Sequence, residues 1–266
     1  MRRADRRADG ASRGRALAGV AASLAATALL GGASSAQASS VTLGSPMTAS
    51  NFSSVPFGGA GSNMASQTIL PGATTVAPFD GTIVSWSVMG ASGGPLSLRI
   101  VKPSGAQFVG GGSAVSGPLT SLGKLTFTAS LPIKTGQLIG IQSTAPTDTI
   151  SITSGTPGAN YNYFSPTLAN GGAPTSPTNT QVREIALNAT VLSDCTAPSV
   201  KGKKEGAAKN ALVAAGCDTI VVNRPKGKKA RKKAKFVKSQ SPAAGSVVAG
   251  GSPVTLTLGK KKKKKK

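Results

Sequence analysis

The chain has 266 residues, with 34 glycines, 17 prolines, two cysteines, no histidine and a formal net charge of +23. Without histidine it lacks the commonest metal ligand and the commonest general base. A glycine and proline share of about a fifth argues against long helices and for turn-rich β structure.

Residues 1–38 read as an export signal. Arg2, Arg3, Arg6, Arg7, Arg13 and Arg15 form a positive leader, and Ala16 to Leu30 is an apolar run. Ala36-Gln37-Ala38 supplies a small-x-small cleavage pattern, so the mature chain is expected to start at Ser39. The competing reading is a retained membrane anchor, but the run has about 15 residues where a span needs about 20. Export bears on the cysteines. In an oxidising compartment Cys195 and Cys217 are expected to form one disulfide. The alternatives are a metal site or a catalytic thiol, and neither has a histidine to help it.

The stretch 39–194 is nearly neutral, with five basic residues against four acids. Short apolar-alternating runs recur in it, separated by Gly/Pro/Ser/Asn clusters. Strands are expected at Val41–Leu43, at Ser66–Leu70, and after the Asp80-Gly81 turn, where Val84, Trp86 and Val88 would share one face. Leu96, Leu98 and Ile100 alternate with Ser97 and Arg99, and this run would pair with the preceding one as a hairpin. Further strands are expected at Leu125–Ala129, Gln137–Gln142 and Thr149–Thr153, and a last one has Ile185, Leu187, Ala189 and Val191 on a common face. Residues 104–123 and 154–181 read as loops. About eight such strands predict an antiparallel, jelly-roll-like β-sandwich.

Chemistry is not visible in this region. Asp80 sits at a turn, and Asp148 and Glu184 are single acids without a paired spacing. No Gly-x-Ser-x-Gly elbow or phosphate loop occurs, so neither an enzyme nor a cofactor is expected. Tyr161, Tyr163 and Phe164 could present flat rings to a carbohydrate, or could anchor the loop by burial. Trp86 reads as core. The phrase Ala77-Pro78-Phe79-Asp80-Gly81-Thr82-Ile83-Val84-Ser85-Trp86 resembles, together with Leu131-Pro132-Ile133-Lys134-Thr135-Gly136-Gln137, a sandwich domain of secreted actinobacterial proteins. The likeness spans roughly residues 65–192 and implies no activity.

From Cys195 the character changes: residues 196–266 hold 20 Lys/Arg against Glu205 and Asp218. A helix is expected over Lys203–Ala215. Its small-residue stripe is Ala207, Ala208, Ala211, Leu212 and Ala215, with Lys203, Lys204, Glu205 and Lys209 facing water. Gly216 would cap it. Strands are expected at Ile220–Val222, Phe236–Val237 and Val247–Val248, and a closing one alternates Val254, Leu256 and Leu258. Between them lie the turns Ser241-Pro242-Ala243-Ala244-Gly245 and Gly250-Gly251.

This order resembles a PASTA domain over residues 196–259. The likeness is carried by Pro198-x-Val200-x-Gly202, the helix, Gln240-Ser241-Pro242-x-x-Gly245 and Gly251-Ser252-x-Val254-x-Leu256. It implies a small α+β unit outside a bacterial cell, of a kind implicated in binding peptidoglycan or in spacing other domains. The matching positions explain a fold and not ligand contacts. Two features depart from the pattern: the cysteine pair, and a basic stretch within Asn223–Lys235 holding Arg224, Lys226, Lys228, Lys229, Arg231, Lys232, Lys233 and Lys235.

That stretch and the tail of Lys260, Lys261, Lys262, Lys263, Lys264, Lys265 and Lys266 are candidate polyanion-binding residues. The bland reading of the tail is a solubilising extension. Peptidoglycan or an anionic wall polymer is the expected partner, with an anionic membrane surface as a further candidate. Nucleic acid is disfavoured by export and by the lack of stacking rings, since Phe236 is the one aromatic residue here. The organisation expected is a signal (1–38), a β-sandwich (39–194), a PASTA-like unit (195–259) and a lysine tail (260–266). The expected protein is secreted, non-enzymatic and wall-associated in a Gram-positive-type bacterium. The alternative is a carbohydrate- or surface-binding sandwich with a basic electrostatic anchor.

Overall fold

The computed structural model describes residues 39–57 and 61–260. The export signal and Lys261–Lys266 lie outside the described residues. The fold is mainly β. In chain order the strands before the cysteines are β1 (Ser40–Gly44), β2 (Ser53–Pro56), β3 (Asn63–Ile69), β4 (Gly81–Met89), β5 (Ser97–Ser104), β6 (Gln107–Val115), β7 (Lys124–Ile133), β8 (Leu138–Ser143), β9 (Thr149–Thr153), β10 (Asn160–Phe164), β11 (Asn179–Gln181), β12 (Glu184–Ile185) and β13 (Leu187–Ser193). From Cys195 follow β14 (Cys195–Thr196), α1 (Glu205–Ala214), β15 (Ile220–Asn223), α2 (Lys228–Lys233), β16 (Phe236–Ser241), β17 (Val247–Val248) and β18 (Val254–Gly259).

Eight of the first thirteen strands pair as a jelly roll. One sheet runs β1-β13-β4-β7 and the other contains β3-β8-β5-β6, all antiparallel. The chain crosses between sheets at almost every step, which is the double Greek key of this architecture. Residues between β8 and β13, together with β2, elaborate it: β10 and β11 extend the second sheet past β3, and β12-β9-β2 form a small third sheet. The main core lies between the sheets. It includes Leu43, Ile83, Trp86, Val88, Leu98, Ile100, Ile133, Ile141, Ile185, Leu187, Ala189 and Val191. Trp86 is 1 % exposed and packs on Phe127 with centroids 4.9 Å apart.

Several expectations are corrected here. The runs at Val84–Val88 and Leu96–Ile100 are not a hairpin. They lie in opposite sheets, because β4 pairs with β13 and β7 while β5 pairs with β6 and β8. Val84 does not share the inward face of Trp86 and Val88. The register against β13 shifts between Ile83 and Ser85, a bulge that turns Ile83 into the core and leaves Val84 as the extra residue. Arg99, on the face opposite Leu98 and Ile100, is also buried. It is 6 % exposed, and its guanidinium donates to the Leu168 carbonyl (2.9 Å) and to Asn170 Oδ1 (2.5 Å). The stretches 104–123 and 154–181 hold β6, β10 and β11 and are not plain loops.

A second, separate core belongs to the C-terminal region. Ala197, Val200, Ala208, Leu212, Cys217, Val237, Val248, Val254, Leu256 and Leu258 pack together. Its sheet is β15-β18-β16, with β15 parallel and β16 antiparallel to the central β18, and β14 pairs with β17. The helix is shorter than Lys203–Ala215. Lys203 lies in a turn, its N–H donating to the Val200 carbonyl (3.1 Å) and its carbonyl accepting the Val237 N–H (3.0 Å), and Lys204 is extended. Ala208 and Leu212 are buried and Ala211 packs beside them, but Ala207 is exposed, so the buried stripe is narrower than its spacing implied. A finding beyond the sequence reading is that the basic stretch contains a helix, α2, with no buried residue. Its cations Arg231, Lys232 and Lys233 lie in the last turn, where the helix dipole favours them.

Candidate functional site

The end of α1 shows how the module is locked. Gly216 has φ +79° and its N–H donates to the Val213 carbonyl (2.9 Å), while the Cys217 N–H reaches back to the Leu212 carbonyl (3.0 Å). This is a Schellman ending, which needs a left-handed residue at the glycine position. It aims Cys217 into the core, where its sulfur is bonded to that of Cys195 with Cα atoms 5.5 Å apart. The disulfide closes a separation of 22 residues around the helix. The Gln-Ser-Pro motif makes a second lock, between segments 40 and 42 residues apart. Gln240 Oε1 accepts the Val200 N–H (2.9 Å) and Nε2 donates to the Pro198 carbonyl (3.0 Å), clamping the segment that leads into α1.

With the scaffold fixed this way, the candidate polyanion-binding residues of the basic stretch lie on the surface. Arg224, Lys226, Lys228, Lys229, Arg231, Lys232, Lys233 and Lys235 are each exposed. They do not form one site. Arg224, Arg231, Lys232 and Lys235 converge on a cleft of about 420 Å³, whereas Lys226, Lys228, Lys229 and Lys233 do not line it. Two residues expected merely to face water, Lys204 and Glu205, also line it. The Glu205 carboxylate receives both bonds of the Arg224 Nη2 (2.6 and 2.8 Å) and pairs with Lys209 (3.1 Å). Partial burial raises its pKa, but the ion pairs with Lys209 and Arg224 outweigh that and hold it below the ordinary glutamate value. The signal that could have found Glu205 is its isolation: apart from Asp218 it is the one acid among 20 cations. Lys260 follows β18, and the rest of the tail lies outside the described residues.

In the sandwich the aromatic trio divides. Tyr161 and Tyr163 share one face of β10 and line a cleft of about 490 Å³ with Phe57, Gln181 and Arg183. Tyr161 is 6 % exposed, and its ring packs in the main core. Phe164 is on the other face, 1 % exposed and edge-on to Phe108 at 5.7 Å. As a carbohydrate platform Phe164 is therefore corrected: the face of β10 that carries it is covered, so its ring is spent on packing.

The acids of the sandwich are structural. Asp148 is fully buried; that burial raises its pKa, and bonds from the Gly94 N–H (2.7 Å), Ser143 Oγ (2.8 Å) and the Ala145 N–H (3.1 Å) more than offset it. Glu184 accepts from Ser45 Oγ (2.5 Å) and Thr156 Oγ1. Among the described residues no group of three or more His, Cys, Asp or Glu could hold a metal, and no helix is long and apolar enough to cross a membrane.

Fold and site together define a jelly-roll body joined to a disulfide-stapled α+β module with a cationic outer surface. The comparison with known families agrees for the second part: the PASTA domain family matches residues 196–260. No curated protein and no solved structure matches the chain.

Proposed function

We propose that this chain is an exported, non-enzymatic protein whose C-terminal PASTA module holds it to peptidoglycan or another anionic polymer of a Gram-positive-type cell wall. The supporting observation is that a matched PASTA segment carries eight basic residues in its inserted stretch, every one of them exposed. Lysines and arginines spread over a surface attract a polyanion without demanding one geometry. The unit spans 195–259 and is preceded by a sandwich over 39–194. An anionic membrane surface would draw on the same charges.

The test is sedimentation of the mature protein, from Ser39, with purified walls, against chains ending at Asp194 and at Gly259. Loss of retention on ending at Asp194 is the expected result, and unchanged retention there would overturn the assignment to the module. Ending at Gly259 measures the share of Lys260–Lys266. Retention should fall steeply with added salt, because exposed charges are screened over about 10 Å at 0.1 M.

A second reading has one observation in its favour. The cleft lined by Tyr161, Tyr163, Gln181 and Arg183 combines ring surface with polar groups, as a carbohydrate site does. On that reading the sandwich recognises the surface and the module is its electrostatic anchor.

A further inference from the structure

The cleft of the C-terminal module is built from three separated parts of the chain. Lys204 and Glu205 come from the start of α1, Arg224 follows β15, and Arg231, Lys232 and Lys235 come from α2 and the turn after it. Five cations thus line the cleft with one carboxylate. Arg224 is committed to Glu205. Lys204, Arg231, Lys232 and Lys235 have no carboxylate within ion-pair distance among the described residues. The cleft is therefore an open cationic depression in which a single internal anion satisfies only one side.

The floor is also unusual. Gly206 occupies the first turn of α1, where glycine is a poor helix former. A Cβ built on it would meet nothing within 4 Å, so packing does not require the glycine. Its absence of a side chain leaves the backbone open to the cleft. Lys204 provides no side-chain cap, and the N–H groups of Gly206 and Ala207 have no partner among the described residues. A planar carboxylate offers two oxygens in one plane, as Glu205 already does toward Arg224. Donors arriving from α1, from the end of β15 and from α2 suit an anion whose oxygens point in several directions.

We infer that this cleft binds a phosphoryl group, namely a phosphodiester of an anionic wall polymer, in competition with the Glu205 carboxylate. The inference rests on the wall-polymer reading above and narrows it from diffuse charge to one site. Glu205 keeps Arg224 oriented while no ligand is present, and lowers affinity by the repulsion it adds.

The experiment titrates isotope-labelled mature protein with inorganic phosphate, with acetate at equal ionic strength as control, following backbone amide shifts. Saturable shifts at Gly206, Ala207 and Arg231–Lys235 are expected with phosphate and not with acetate. The double variant Arg231→Gln, Lys235→Gln should weaken phosphate binding about tenfold, equivalent to about 1.4 kcal/mol. The charge-matched pair Lys201→Gln, Lys238→Gln, outside the cleft, should weaken it about twofold at most. Glu205→Gln should tighten it, and Gly206→Ala should weaken it while raising the melting temperature. Equal losses for the two double variants, or equal shifts with acetate, would overturn the site.

A poly(glycerol phosphate) chain, vesicles of anionic phospholipid and a DNA duplex then serve as competing probes. Cleft-dependent binding of the polyol phosphate supports the stated source, whereas cleft dependence seen only with vesicles or only with DNA refutes it. If walls still retain the protein through residues 195–266 but phosphate leaves the cleft unmoved, this inference fails and the wall-binding reading stands.

Discussion

The two halves of the described molecule solve the problem of stability in opposite ways. The jelly roll is nearly neutral, contains no cysteine, and buries 22 apolar side chains in its main core. The C-terminal module is strongly basic and buries 11, several of them alanines. A domain of that size is marginal on packing alone, and like charges crowding its surface oppose compaction further. The disulfide sits where that deficit is. On the proposed wall-binding function the same crowding is what would attract a polyanion, so the staple and the charge would be two sides of one arrangement.

Breaking the staple is the strongest way to separate the halves. Cys195→Ala with Cys217→Ala should cost the module roughly 3 kcal/mol, the chain-entropy value for a loop of this length. Denaturant unfolding followed at Trp86 reports the jelly roll, and loss of far-UV helix signal reports α1. The first transition should stay in place while the second moves to lower denaturant. Movement of both by the same amount would mean the two cores unfold as one.

A smaller effect is expected at their junction. A Cβ on Gly250 would stand 2.3 Å from the Leu192 carbonyl oxygen, and the Gly250 N–H donates to Asp194 Oδ1 at 3.0 Å. Gly250→Ala should therefore force a shift costing about 1–3 kcal/mol and increase proteolysis near Asp194. An unchanged cleavage rate would show that this contact does not hold the halves together.

The mildest prediction concerns acid. The Thr135 N–H, and then the Lys134 side chain, lower the Asp80 pKa from 3.8 to about 2. A depressed carboxyl contributes stability that is complete above the unfolded value and is lost as pH falls through the folded one. Between about pH 4 and about pH 2 the jelly roll should lose a small increment that Asp80→Asn no longer shows. Thermal melts of the two proteins across that window check it, and parallel curves would remove Asp80 from the account.

How much of this was legible depended on whether neighbours in sequence are neighbours in space. The module was readable because its determinants sit in short motifs: Gly216 ends the helix it follows, and the Gln240-Ser241-Pro242 turn carries the clamp that reaches back 40 and 42 residues to Val200 and Pro198. Alternation also located β5, β8 and β9, and β13 from Leu187 on; Ile185, expected on the same strand, belongs instead to β12 of the third sheet. Alternation could not give their pairing, since a jelly roll sends consecutive strands to opposite sheets, and so the expected β4–β5 hairpin failed. Strand β6 was missed because Gly110, Gly111 and Gly112 look like a loop. Glycine is needed there for close approach: a Cβ on Gly110 would be 2.6 Å from the Leu168 and Ala169 carbonyl oxygens. The cleft residues Lys204 and Glu205 were read as solvent-facing, because the helix on the other side of the open cleft forms from a stretch with no apolar periodicity.

One residue, Asp194, stands between the last residue of β13 and the first of β14. A flexible tether of n residues wanders over about 5–6 Å × √n. Here the whole connection is a single aspartate whose carboxylate accepts from Thr82 on one side and Gly250 on the other. Such a joint behaves as a bracket and not as a cord. A molecule gripped by its basic end would hold its jelly roll at a set height and angle, so copies standing side by side would turn the same face outward.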